Sequence, residues 1–184
     1  MINPEYPMPD TNHILFIGDS LTEWFDLEGF FPEISITNEG IAGDTTYGVL
    51  ERVEDIPLQD YSKIFLMIGI NDIFNGFLRE DIVENIELII ENLQTYASQS
   101  KLFVQSLLPV NESAIGTHYG LNTLINGIND DIKDHCEARH VSYLDLHKHF
   151  LSDQEMKREY TTDGAHLSAT GYHLWAEKIE AFLY

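Results

Sequence analysis

Cysteine is almost missing from this 184-residue chain: Cys136 stands alone, so an internal disulfide or a cysteine-based zinc cluster is excluded. Positive charge is also scarce. Ten Lys and Arg face 31 Asp and Glu, a formal net charge of −21. Nucleic-acid phosphates need a basic surface, so no nucleic-acid partner is expected, and anionic membrane surfaces and highly phosphorylated substrates are disfavoured in the same way. No apolar run approaches the roughly 18 residues of a membrane span, so no integral membrane association is expected. The first twelve residues hold Pro4, Pro7 and Pro9 without a basic or apolar stretch. They read as an irregular N-terminal segment and not as a signal peptide. A cytoplasmic location is the expectation that follows.

Apolar residues make up 43% of the chain, enough for a substantial core, so disorder is not expected. Short apolar runs alternate with amphipathic stretches. His13–Gly18, Ile34–Asn38, Lys63–Gly69, Lys101–Ser106 and Val141–Asp145 read as strands, three of them nearly continuous in apolar residues, as in parallel strands covered on both faces. Residues 80–97 place Ile82, Val83, Ile86, Ile89, Ile90, Leu93 and Ala97 on one helical face, with Glu80, Glu84, Glu87 and Glu91 on the other. Residues 121–139 repeat the pattern through Leu121, Leu124, Ile125, Ile128 and Ile132. A last helix follows Ser168 as N-cap and buries Tyr172, Trp175, Ile179 and Phe182. The alternation predicts a three-layer α/β/α sandwich on a parallel sheet, with 1–184 as one domain. In such a sheet ligands bind beyond the carboxyl ends of the strands.

The loops at that edge carry chemistry. After the first strand, Gly18-Asp19-Ser20-Leu21 puts a serine at the strand-to-helix turn, where it can be a nucleophile or a helix cap. The G-x-S-x-G elbow is absent, because position 22 is Thr. After the second strand, Gly40 and Gly43 precede Asp44-Thr45-Thr46; a turn capped by Asp44 or Thr45 is the plain reading, and no Gly-Lys-Ser/Thr follows to make a phosphate loop. After the third strand, Asn71 can donate two N–H bonds to a developing oxyanion or simply bond loop backbone. Before the last helix, Asp163 and His166 are three apart, a spacing that lets a carboxylate orient an imidazole. A hydroxyl, oxyanion donors, a base and its orienting acid together form an acyl-transfer set.

These four blocks, in this order, resemble those of the SGNH hydrolases, also called GDSL esterases and lipases. The resemblance runs from residue 14 to residue 175. It implies a flavodoxin-like five-stranded parallel sheet of order 2-1-3-4-5 and a serine ester hydrolase that needs no metal or organic cofactor. By position, Ser20 corresponds to the nucleophile, His166 to the general base and Asp163 to the residue orienting it. The N–H groups of Ser20 and Gly43 and the Asn71 amide correspond to the oxyanion hole, with Gly40 the less suited glycine.

Other residues are read more plainly. His147 and His149 form a His-x-His pair without an evident third metal ligand. Asp145 is a rival acid partner, Asp19 and Asp72 are expected to brace the loops, and Cys136 continues an apolar helix face. Ile73–Arg79, with Phe74 and Phe77, and Pro109–Gly120, with His118 and Tyr119, are expected to shape the pocket. So short a chain leaves little for a lid, and an open site favours short acyl groups on soluble alcohols, such as acetyl esters of carbohydrates. Lysophospholipase or thioesterase activity is the alternative, and a non-catalytic flavodoxin-like binding module is the alternative of another class. Phe182, Leu183 and Tyr184 pack on the domain or meet a second copy in a homo-oligomer.

Overall fold

A computed structural model describes residues 13–116 and 120–184. The expected irregular segment over 1–12, and His118 and Tyr119 of the expected pocket, lie outside the described residues. Five strands, β1 (His13–Gly18), β2 (Ser35–Gly40), β3 (Lys63–Met67), β4 (Lys101–Gln105) and β5 (Ser142–Leu144), pair in parallel in the order β2-β1-β3-β4-β5. Helices α1 (Ser20–Glu23), α2 (Leu27–Phe30), α3 (Thr46–Arg52), α4 (Ile70–Phe74), α5 (Arg79–Tyr96), α6 (Glu112–Ile115), α7 (Leu121–Ala138), α8 (His147–Phe150) and α9 (Ala169–Leu183) follow in chain order. A short antiparallel hairpin, β6 (Leu151–Ser152) with β7 (Glu155–Met156), sits after α8.

The three layers follow from the side-chain alternation of the strands. Phe16, Phe65 and Phe103 lie opposite one another in register and stack with 4.7 Å between successive ring centroids. Phe25 and Phe182 meet the two ends of this ladder edge-on, which seats α9 and the segment after α1 on that face. All three ladder rings are essentially inaccessible, and each contributes about 1.5–3 kcal/mol by leaving water. The opposite face is covered by α3, α5 and α7, packed side by side.

The helix reading holds for α5, whose Ile82, Ile86, Ile89, Ile90 and Leu93 are buried. Two details differ. On α7 the buried stripe includes Asn122 and Asn129, while Leu121 and Leu124 are only half-buried. Each of these Asn side chains exchanges two hydrogen bonds with backbone, Asn129 with Leu107 and Asn122 with Val110, at 2.8 and 2.9 Å. An apolar side chain would leave those strand-like groups unpaired. On α9, Trp175, Ile179 and Leu183 are buried, whereas Tyr172 is half-buried and Phe182, whose ring meets Phe103 only edge-on, remains 37% exposed.

Register sets the location of the site. Gly18 lies opposite both Gly40 and Met67, so three loops leave the sheet at one level and one edge.

Candidate active site

The turn after β1 is tight because Gly18 has no side chain: a Cβ there would overlap Thr22 Oγ1 and the Met67 carbonyl. Asp19 caps α1, its Oδ1 accepting the Leu21 N–H at 2.9 Å. Ser20 is therefore the first residue of the helix and not its cap. Its hydroxyl is left for His166, whose Nε2 lies 3.2 Å away.

The loop that delivers His166 is held by its own polar groups. Thr161 Oγ1 accepts the Gly164 N–H and donates to the His166 carbonyl, both at 2.8 Å. Gly164 has φ +108°, and a Cβ there would run into Ile115; a left-handed, crowded position of this kind accepts only glycine. Asp163 then makes three bonds. Its Oδ1 accepts the N–H groups of Ala165 (2.9 Å) and His166 (2.8 Å), and its Oδ2 lies 2.7 Å from His166 Nδ1. Partial burial raises the pKa of this carboxyl, but the bonds from His166 and the two backbone N–H groups outweigh it and hold it near about 2. An ionised carboxylate only accepts, so in the neutral imidazole Nδ1 carries the proton and Nε2 is free to accept from Ser20. Asp145, the rival partner, pairs with Lys148 at 3.1 Å. Tyr172 Oη donates to the Leu21 carbonyl at 3.0 Å and so ties α9 to the turn that carries Ser20.

Across the sheet, Gly40 and Gly43 separate by function of their backbones. A Cβ on Gly40 would overlap the backbone of Glu23, so this glycine admits α1 against β2, and its N–H is used by Asn38 Oδ1 at 2.9 Å. Gly43 adopts φ +80° with open space beside it, and its N–H has no hydrogen-bond acceptor among the described residues. Asn71, at the start of α4, donates one amide hydrogen to the Asp44 carbonyl at 2.8 Å, beside Gly43. Thr45 caps α3, accepting the Gly48 N–H.

The two acidic braces are as expected, though differently built. Asp72 is fully buried and accepts the Thr46 N–H at 3.0 Å and the Thr46 hydroxyl at 2.6 Å, clasping the β2 loop to the β3 loop. Burial raises its pKa, against the pull of the Thr46 bonds. Asp19 is 1% exposed, its Oδ2 without a hydrogen-bond partner among the described residues, and burial raises its pKa from 3.8 to about 7. Arg52, which the sequence did not single out, reaches Asp44 Oδ2 (2.9 Å) and the Glu39 carbonyl (2.9 Å). Trp24 was also missed; its ring packs tilted against the His166 imidazole, 4.7 Å between centroids. The available signal was its position four residues after Ser20.

His147 is buried and His149 partly so, both on or beside α8, and among the described residues no three His, Cys, Asp or Glu side chains group to hold a metal. Cys136 is buried, and burial pushes its thiol up to about 12, as suits a small core hydrophobe. A cavity of about 290 Å³ lined by Leu93, Ala97, Leu102 and Val141 lies at the opposite edge of the sheet, away from Ser20.

Residues 16–174 match the model of the GDSL-like lipase/acylhydrolase family. The chain belongs to this family. A solved structure from Streptococcus pneumonia, provisionally designated a platelet activating factor, superposes with a TM-score of 0.84 at 30% identity, over 98% of this chain and 86% of that one. An acetyl xylan esterase shares the fold at a TM-score of 0.77 and 20% identity, over 94% of this chain and 100% of that one. The platelet-activating factor acetylhydrolase IB subunit alpha2 of Homo sapiens is 32% identical over 106 residues, 54% of this chain and 45% of the relative. The chain spans less than half the length of the curated relatives it matches, at 38% and 45%. No helix among the described residues of this family member is long and apolar enough to cross a membrane.

Proposed function

We propose that this GDSL-family chain is a serine esterase that hydrolyses carboxylic esters through an acyl-serine intermediate. The observation that carries the reading is the single imidazole of His166 spanning Ser20 Oγ at 3.2 Å and Asp163 Oδ2 at 2.7 Å. In the first step the Ser20 Oγ–H proton passes to His166 Nε2 as Oγ bonds to the ester carbonyl carbon. The carbonyl oxygen takes up the electron pair and faces the Ser20 and Gly43 N–H groups and the second amide hydrogen of Asn71. Collapse breaks the bond to the alcohol oxygen, which receives the proton from His166. Water then repeats the exchange: its proton goes to His166, its oxygen bonds to the acyl carbon, and the Ser20 ester bond breaks with return of the proton to Oγ. Asp163, held ionised far below neutral pH, keeps the imidazole turned and stabilises its charged form.

The acyl group in this reading is short, with acetyl esters of carbohydrates or other soluble alcohols as the substrate class. The acetylhydrolase activity named for the 32%-identical relatives supports it. Those same relatives favour a second reading, in which the alcohol is lipid-like and the activity approaches that of a lysophospholipase. One buried thiol fits a cytoplasmic setting.

A fluorophosphonate probe followed by mass analysis tests the mechanism, with p-nitrophenyl acetate as the activity substrate. Labelling of Ser20, and a fall in kcat of roughly 10³ or more in Ser20→Ala, is the expected result. Folded protein that neither labels nor turns over ester is instead a flavodoxin-like binding module. A series of p-nitrophenyl esters from acetate upward, beside acetylated sugars and a lysophospholipid, ranks the substrates.

A further inference from the structure

The reaction described above gives Trp24 no task, yet this side chain lies against the group that moves the protons. Trp24 follows Ser20 by four residues and caps the C-terminus of α1, its N–H donating to the Ser20 carbonyl at 3.0 Å. Its ring centroid is 4.7 Å from that of His166, tilted by 36°. The adjacent Phe25 is 3% exposed and takes the core position, whereas Trp24 remains 52% exposed. The pair therefore divides: one aromatic for the fold, one left exposed beside the His166 imidazole. Large apolar area left in water beside a reacting group is characteristic of a binding surface.

The chemistry says which half of an ester meets it. The departing oxygen must come within hydrogen-bond reach of His166 Nε2 to receive its proton. The acyl carbon stays on Ser20, and the oxyanion faces Gly43 and Asn71. The alcohol is thus the part of the substrate brought to the imidazole that Trp24 covers. Resting on the esterase reading, we infer that Trp24 is the specificity-determining residue for the alcohol half of the ester, favouring alcohols with a flat apolar face such as an aryl ring or the C–H face of a sugar.

The test compares wild type, Trp24→Ala and Trp24→Phe on phenyl acetate, an acetylated methyl glycoside and ethyl acetate. In Trp24→Ala the kcat/KM ratio of phenyl to ethyl acetate, and of glycoside to ethyl acetate, is expected to fall about tenfold, the size of a lost apolar contact in a specificity pocket; Trp24→Phe recovers most of it. The acyl-enzyme no longer contains the alcohol, so the burst rate with p-nitrophenyl acetate is expected to fall more than the steady-state deacylation rate. An equal fall on all three esters and in both steps would overturn the inference, since Trp24 would then only hold His166. Unchanged ratios would overturn it too. Wild-type protein that neither labels at Ser20 nor hydrolyses any ester would sink the esterase reading itself, and this inference with it.

Discussion

Replacing Asp19 by Asn removes a charge that the fold holds at a cost above neutral pH. The carboxyl is 1% exposed, accepts one N–H from Leu21 and has no partner for Oδ2 among the described residues, and burial, reinforced by Asp44 and Asp72, raises its pKa from 3.8 to about 7 against the Leu21 bond and the attraction of His166. The sign follows from which state holds the proton more tightly. Below about pH 3.8 the group is protonated folded or unfolded, and nothing is lost. Between 3.8 and about 7 the unfolded chain gives up its proton while the folded one keeps it, so stability falls as pH rises and levels off above about 7. At ~1.4 kcal/mol per pH unit, that interval withdraws roughly 4 kcal/mol from the folded state, most of it between pH 5 and 7. Asn keeps a carbonyl for the Leu21 N–H but puts an unpartnered NH₂ where Oδ2 was, at ~1–3 kcal/mol. Asp19→Asn is thus expected to gain on wild type by roughly 3 kcal/mol on going from pH 5 to pH 8.5, a difference in which shared titrating groups cancel. Urea unfolding of both proteins at the two pH values, with equal m-values as the control, measures it. Stability curves that stay parallel from pH 5 to 8.5 would refute the reasoning.

The sequence was legible where one physical rule acted locally. Phe16, Phe65 and Phe103 sit in runs apolar enough to mark strands covered on both faces, and the blocks of Ser20 and Asn71 fall where the first two of those runs stop. The bracing was less legible because it depends on pairs far apart in sequence. Nothing near Thr46 says that its N–H and hydroxyl close on Asp72, 26 residues later. Asn122 and Asn129 look like interruptions of an apolar stripe until the backbone of Leu107 and Val110 is laid beside them. Gly40 and Gly43 are the same residue type in one loop. Only the fold separates them, one crowded by Glu23 and the other at φ +80° with no acceptor for its N–H among the described residues. Ser20 read as a possible helix cap because Ser is a good cap; Asp19, one residue earlier, is a good cap too, and the β1 register decides between them.

Asn71→Ala is expected to lower kcat by about 10²–10³ with a smaller change in KM, the pattern of a donor that bonds the oxyanion more strongly than the ground-state carbonyl; steady-state kinetics on p-nitrophenyl acetate reads it. Asp72→Ala tests whether the loop carrying Gly43 needs its clasp. Thr46 is fully buried, and removing the carboxylate strands both its N–H and its hydroxyl hydrogen, although Asn85 still donates to the Thr46 oxygen at 2.9 Å. Two unpaired buried donors correspond to a loss of about 2–4 kcal/mol in denaturant unfolding. Asp72→Asn keeps one acceptor and sheds a charge whose burial is unfavourable, so it is expected to lose less than Asp72→Ala. The loop also presents the Gly43 N–H, so esterase activity in Asp72→Ala is expected to fall through kcat more than KM, even well below the denaturation midpoint. Full stability in Asp72→Ala would show that Gly43 is held by something other than this carboxylate, and the Arg52 contacts to Asp44 and Glu39 would then be the next brace to remove.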